Sequence, residues 1–387
     1  MSADRLESAK DLLARLVAFD SVSDRSNLPV VAFVESYLES LGAPVIRAPN
    51  AAGDKAAILA TIGPRVDGGV VLSGHTDVVP VDGQPWTNDP FSLRADGGLL
   101  YGRGACDMKG FDACVLAMVP AFKAAPLKRP IHIVLSYDEE TTCLGSRDLI
   151  ARFGKEEPTP GAVIVGEPTM MAAADSHKSV ATLRTFVTGH EAHSAMPMLG
   201  ANAVAIAADI VSEIGRLGRE YEKGPLDPRF SPPYSTLHVG MIQGGAARNI
   251  LARQCAFHWE FRGLPGVPTA SALEKVQAFV DAVALPRLTR FVSGPSIATQ
   301  LEVDVPPLAA EPGSAAETLA LKLTRSNHTM AVSFATEAGH FQAAGLPTIV
   351  CGPGSIDQAH KPDEYVAESQ LAACLAFLDR LAEELSR

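Results

Sequence analysis

Apolar positions change their period along this chain, and the changes divide it into three stretches. At the start, charged and apolar residues alternate at helical spacing through MSADRLESAKDLLARLVAFD. Residues 29–41 repeat that spacing with Val31, Val34, Leu38 and Leu41, and Gly42 supplies a stop. Unbroken apolar runs follow: AAILATIG, VVLSGHTDVVP, IHIVLSYDEE and AVIVGEP. Runs of this length, rich in β-branched residues, predict buried strands. Between them GFDACVLAMVPAFKAA and SRDLIARF predict helices. Strands separated by helices predict an α/β layer on a mostly parallel sheet.

After Pro168 the pattern alters. SVATLRTFVTG, TLHVGMIQGG, RQCAFHWEFRGL and IATQLEVDVP predict strands, and ANAVAIAADIVSEIGRL and TASALEKVQAFVDAV predict helices. Their order, β-α-β-β-α-β, is that of a ferredoxin-like α+β unit. From about Leu308 the α/β style returns with a helix, TMAVSFAT, a short helix and LPTIVCGPG. The closing helix carries Leu371, Cys374, Leu375, Leu378 and Leu385 on one stripe. The expected organisation is one α/β domain at 1–175 and 308–387, interrupted by an inserted domain at 176–307. A chain of 387 residues is long enough for two cores.

The net charge of −11 makes nucleic acid and anionic membrane poor partners. No stretch reaches the roughly 20 apolar residues of a membrane span, and the N-terminus lacks the basic head and apolar run of a signal peptide. Cys106, Cys114, Cys143, Cys255, Cys351 and Cys374 contain no C-x-x-C pair, which suits reduced thiols in a cytoplasmic protein.

Ionisable residues gather where the strand-like runs end. His75 and Asp77 close the second run, Glu139 and Glu140 the third, Glu167 the fourth, and His360 follows PTIVCGPGSIDQAH. Asp107 lies in a loop before a predicted helix. Taken singly, each has a plain explanation: His-x-Asp is commonly a turn, paired glutamates are commonly solvated, and Asp107 could cap its helix. In an open α/β sheet, however, strand ends converge on one crevice. Carboxylates and imidazoles grouped there call for a cation, and histidine with carboxylate suits zinc.

The blocks SGHTDVVPVDGQPWTNDPF, LYGRGACDMKG, SYDEE, VGEPT, GHEAHSAMP and CGPGSIDQAHKPDEY resemble the dinuclear zinc deacylase and exopeptidase family over essentially the whole chain. That family includes acetylornithine deacetylases, succinyl-diaminopimelate desuccinylases, aminoacylases and glutamate carboxypeptidases. EPT and GPGSIDQAHKPDEY are most similar to its acetylornithine deacetylase branch. The resemblance implies that His75 and Glu167 bind one metal, Glu140 and His360 the other, and that Asp107 bridges them. It implies Glu139 as general base and Asp77 as the carboxylate that orients His75. His193 resembles the family's oxyanion histidine, often supplied by a partner subunit, and Arg262 and Asn249 resemble residues that hold the substrate carboxylate and carbonyl. Thr336, Gly352 and Gly354 are expected along the same pocket, and Lys178 at the surface.

The resemblance implies an α/β catalytic domain with a lid that also forms a homodimer. It implies two divalent ions, zinc with cobalt or manganese as substitutes. The expected reaction is hydrolysis of an N-acyl amino acid, with N2-acetyl-L-ornithine first and a desuccinylase or dipeptidase activity as the alternative. A catalytically dead binding relative is the remaining alternative, and it would be expected to lack one of these residues. HEAH at 190–193 is not the H-E-x-x-H of zinc proteases, and no P-loop or nucleophile elbow appears.

Overall fold

The strand Val70–His75 is buried along its whole length, between Ile131–Ser136 and Ala162–Pro168 and parallel to both. This is seen in a computed structural model that describes residues 3–294 and 296–387. Thr348–Gly352 adds a fourth parallel strand beside Ala162–Pro168. Alternate residues of these strands, among them Leu72, Ile133, Ile164 and Ile349, enter one apolar core with the helices Ala3–Val17, Leu28–Ser40, Lys109–Ala124 and Glu368–Leu385. Their neighbours Val71, Val134, Val163 and Val350 are equally buried on the opposite side. Burial on both faces explains why these runs carry no polar alternation. Antiparallel strands flank the parallel centre of the eight-stranded sheet, Val45–Pro49 and Ala56–Ile62 on one side and Ala174–His177 on the other.

The chain divides into two units, one of Met1–Ser176, Ala310–Ala331 and Thr336–Arg387, the other of His177–Ala309 and Val332–Ala335. In the second unit Thr236–Gly244, Gln254–Arg262, Val180–Thr188 and Ile297–Val305 form an antiparallel sheet in that order. This is the strand order of a ferredoxin-like fold. Burial alternates along Val180–Thr188: Ala181, Leu183, Thr185 and Val187 are buried and the residues between are half-buried. The buried side meets the helix Ala203–Tyr221 through Ile206, Ile210, Ile214 and Leu217. That helix begins where Asn202 accepts hydrogen bonds from Val204 and Ala205, an N-cap worth about 1 kcal/mol.

Two elements and one residue differ from expectation. The helix expected over SRDLIARF is only Arg147–Ile150, because the Arg152 carbonyl turns to accept from the amides of Lys155, Glu156 and Glu157. The TMAVSFAT strand shrinks to Met330–Val332, since the Ser333 hydroxyl donates to the Ser231 carbonyl and draws Val332–Ala335 into the second unit. Lys178 is buried, not at the surface; its ammonium donates to the carbonyls of Pro232 and Tyr234 at 2.8 and 2.7 Å. All six cysteines are free and buried, and among the described residues no helix is long and apolar enough to cross a membrane.

Candidate metal centre

Four adjacent strands that run in one direction must end on one edge of their sheet. His75 is the last residue of Val70–His75, and Glu139 and Glu140 follow Ile131–Ser136 after a short turn. Glu167 sits at the end of Ala162–Pro168, and His360 follows Thr348–Gly352. Asp107 precedes the helix Lys109–Ala124 but does not cap it, because the N-cap position falls to Met108.

Asp107 divides its two carboxylate oxygens between the histidines: Oδ1 lies 3.2 Å from His75 Nε2, and Oδ2 lies 3.2 Å from His360 Nε2. Glu140 is 3.0 Å from His360 Nε2, and Glu167 and Glu139 are 3.7 and 3.9 Å from His75 Nε2. Among the described residues two sets have ligand atoms within 4.8 Å of one another: His75, Glu139 and Glu167, and His75, Asp107 and Glu140.

Four carboxylates this close and this dry disturb one another's protonation. Burial raises Glu139 and Glu167 well above the usual carboxylate range, and their acidic neighbours add to it, with His75 opposing. Glu140 is pushed up to about 7 by burial and by Asp107. Asp107 goes the other way: burial opposes its charge, but hydrogen bonds from His360 and His75 hold it low. Burial works against a charged His75, yet Asp107 and Asp77 hold its pKa well above normal. His360 rises to about 10 through its bonds to Asp107 and Glu140. The cluster thus retains positive charge against the cost of burial. Divalent cations meet that demand better than protons, and a donor set of imidazole and carboxylate without sulfur fits a zinc-like ion.

Asp77 meets His75 through both its backbone and its side chain. His75 Nδ1 is 2.9 Å from the Asp77 main-chain carbonyl and 3.5 Å from its carboxylate. The carboxylate also accepts the amides of Glu139 and Glu140 at 3.2 and 3.3 Å and the Ser23 hydroxyl at 2.6 Å. One residue therefore meets the histidine with backbone and side chain and the two glutamates with its side chain.

In the second unit His193 and Asn249 are neighbours on two exposed segments. His193 forms a bridge with Ile250, and the Ser194 amide donates to the Asn249 carbonyl at 3.1 Å. Arg262, at the end of Gln254–Arg262, already grips Glu260 through two nitrogens at 2.7 and 3.2 Å. Three residues expected along the pocket also make hydrogen bonds within the fold. The buried Thr336 hydroxyl accepts from the Ala338 amide, the Gly352 amide donates to Thr169, and the Gly354 amide donates to Gln370. Gly352 also lacks room for a side chain, since a Cβ would collide with the Gly166 carbonyl oxygen.

A parallel α/β sheet whose strand ends gather imidazoles and carboxylates in this way offers a site for divalent cations, as in a metal-dependent hydrolase. The chain belongs to peptidase family M20/M25/M40, which it matches over residues 71–384. It is 34% identical to an acetylornithine deacetylase of Myxococcus xanthus, over 98% of this chain and 97% of that one. Among solved structures it resembles an M20 metallo-carboxypeptidase, Sso-CP2 of Sulfolobus solfataricus, with a TM-score of 0.77 at 16% identity over the full length of both chains. It also resembles the YXEP protein of Bacillus subtilis, described as a dinuclear metal-binding peptidase, with a TM-score of 0.65 at 16% identity over 98% of each chain.

Proposed function

We propose that this enzyme hydrolyses the amide of an N-acyl amino acid, with N2-acetyl-L-ornithine as substrate and ornithine and acetate as products, a step of arginine biosynthesis in the cytoplasm. The observation that carries the metal-dependent reading is Asp107, whose two oxygens face two different histidines. The choice of substrate follows the relative from Myxococcus xanthus. His75 and Glu167 would hold one divalent ion and Glu140 and His360 the second, with Asp107 shared between them and zinc the preferred metal. Such ions, when bound, acidify a water and polarise the scissile carbonyl.

The chain's own residues supply the remaining chemistry. Glu139 takes the proton of the attacking water and delivers it to the leaving nitrogen, a role for a carboxylate that stands beside the proposed ligands His75 and Glu140. Asp77 keeps both Glu139 and His75 in place. Arg262 exchanges Glu260 for the substrate carboxylate, for which its planar fork is well shaped. Asn249 and His193 donate to the carbonyl oxygen as it gains charge. The second unit serves as lid and as dimerisation module.

Assay of zinc-loaded protein against N-acetyl, N-succinyl and dipeptide substrates tests the assignment. The highest kcat/KM is expected for N2-acetyl-L-ornithine, by roughly tenfold or more over its rivals. A preference for N-succinyl-diaminopimelate or for a dipeptide overturns the substrate and leaves the reaction class. No turnover of any amide by metal-loaded protein contradicts the catalytic reading.

A further inference from the structure

Loop amides that are buried must find acceptors, and the loop carrying Asp107 finds most of its own in one side chain. Glu364 is 1% exposed and lies on the segment that follows His360. Its Oε1 accepts from the amides of Cys106 and Asp107 at 2.9 and 3.0 Å. Its Oε2 accepts from the Gly104 amide at 3.1 Å and from Arg103 Nη1 at 2.7 Å. A carboxylate has about four acceptor sites, and here one short loop occupies all four. The loop's converging N–H groups form a nest for an anion, filled from within the protein.

Arg103, equally buried, extends the grip to the other side of the site. Its Nη1 also reaches the Lys361 carbonyl at 3.3 Å, and its Nη2 donates to Gln84 Oε1 at 2.5 Å. Gln84 in turn donates to the main-chain carbonyl of His360 at 3.0 Å. The Arg103–Glu364 pair thus joins the backbone of Asp107 to the backbone of His360. No regular helix or strand holds either segment at these positions.

We propose that Glu364 is a positioning residue for the metal centre: through the amides of 104, 106 and 107 it sets the direction of the Asp107 carboxylate, and through Arg103 it ties that loop to His360. The inference rests on the reading of Asp107 and His360 as metal ligands. A bridging carboxylate has little angular tolerance, so loosening its backbone lowers metal affinity without removing a ligand. Glu364→Gln turns an amide nitrogen toward backbone N–H groups and leaves Arg103 without its counter-charge. Glu364→Asp keeps the charge but retracts it by one methylene from the Cys106 and Asp107 amides.

The test is zinc titration of chelator-stripped protein by calorimetry, with amide hydrogen exchange of 104–107 as a second readout. Wild type, Glu364→Gln, Glu364→Asp, Asp107→Asn and the core variant Leu378→Ala are compared. Glu364→Gln should weaken zinc binding by about 10–100-fold and speed exchange in the loop, with Glu364→Asp between it and wild type. Leu378→Ala should lower the melting temperature and leave zinc affinity unchanged, which separates positioning from general stability. Folded Glu364→Gln that binds zinc like wild type overturns the proposal. If that variant does not fold, Glu364→Asp decides, and wild-type affinity in it overturns the proposal equally. Should Asp107→Asn bind zinc as wild type does, the metal-centre reading fails, and this inference with it.

Discussion

Glu139 and Glu140 are adjacent in the chain yet meet different neighbours. Glu140 faces His360, whereas Glu139 accepts a hydrogen bond from the Cys143 thiol at 3.3 Å and lies nearest His75. These surroundings motivate a prediction of separate tasks, although each glutamate also falls in a candidate metal group with His75. Glu139→Gln is expected to keep its zinc and lose roughly 10²–10⁴-fold in kcat, as removal of a general base does. Glu140→Gln is expected to lose zinc affinity directly, measured by titration, and equal metal loss in both variants would end the distinction. The sequence showed these residues because each stands where an apolar run stops. It did not show that the Asp77 carboxylate also takes the amides of Glu139 and Glu140, contacts that no periodicity signals. Nor did it show Glu364, which meets Asp107 across 257 positions with no periodic sign.

At the scale of elements, the parallel centre of the sheet is what brings the site together. The long helices and the buried strands were legible because their apolar residues repeat over many turns or fill whole runs. The three-residue strands Arg94–Asp96, Leu99–Tyr101 and Tyr365–Ala367, which pair into a small sheet, are too short to set a period. The strand Ile131–Ser136 also carries a concealed cost. Its His132 is fully buried, 3.0 Å from the Thr61 hydroxyl, and burial with the charge of Arg65 lowers its pKa to about 4. The unfolded chain binds this proton near pH 6.5 and the folded chain does not. Stability from the neutral ring is therefore complete above pH 6.5 and lost as pH falls toward 4, up to about 3 kcal/mol. Urea unfolding of metal-free wild type and His132→Gln should show their stability difference narrowing over that interval. A constant difference would show that His132 titrates normally in the fold.

At the scale of the molecule, the second unit carries an edge strand and exposed apolar side chains. Thr236–Gly244 is an edge strand with Met241 and Ile242 exposed, and Met196, Met198 and Ile250 are exposed on the segments around His193 and Asn249. An unpaired apolar edge of this kind favours strand pairing with a second copy. We expect a homodimer in which His193 completes the partner's site. Inactive His193→Ala and Glu139→Ala proteins, dissociated and mixed, should then recover roughly a quarter of wild-type activity, because half the dimers are mixed and each holds one intact site. Heterodimers that form and remain dead would place His193 in its own subunit's site.

If the cluster around Asp107 binds two metal ions and turnover depends on them, exhaustively chelated protein should not turn over N2-acetyl-L-ornithine. Activity should recover as zinc is returned in known amounts and be complete at two equivalents per chain, with Asp107→Asn failing to recover. Full activity after complete removal of metal would contradict this dependence.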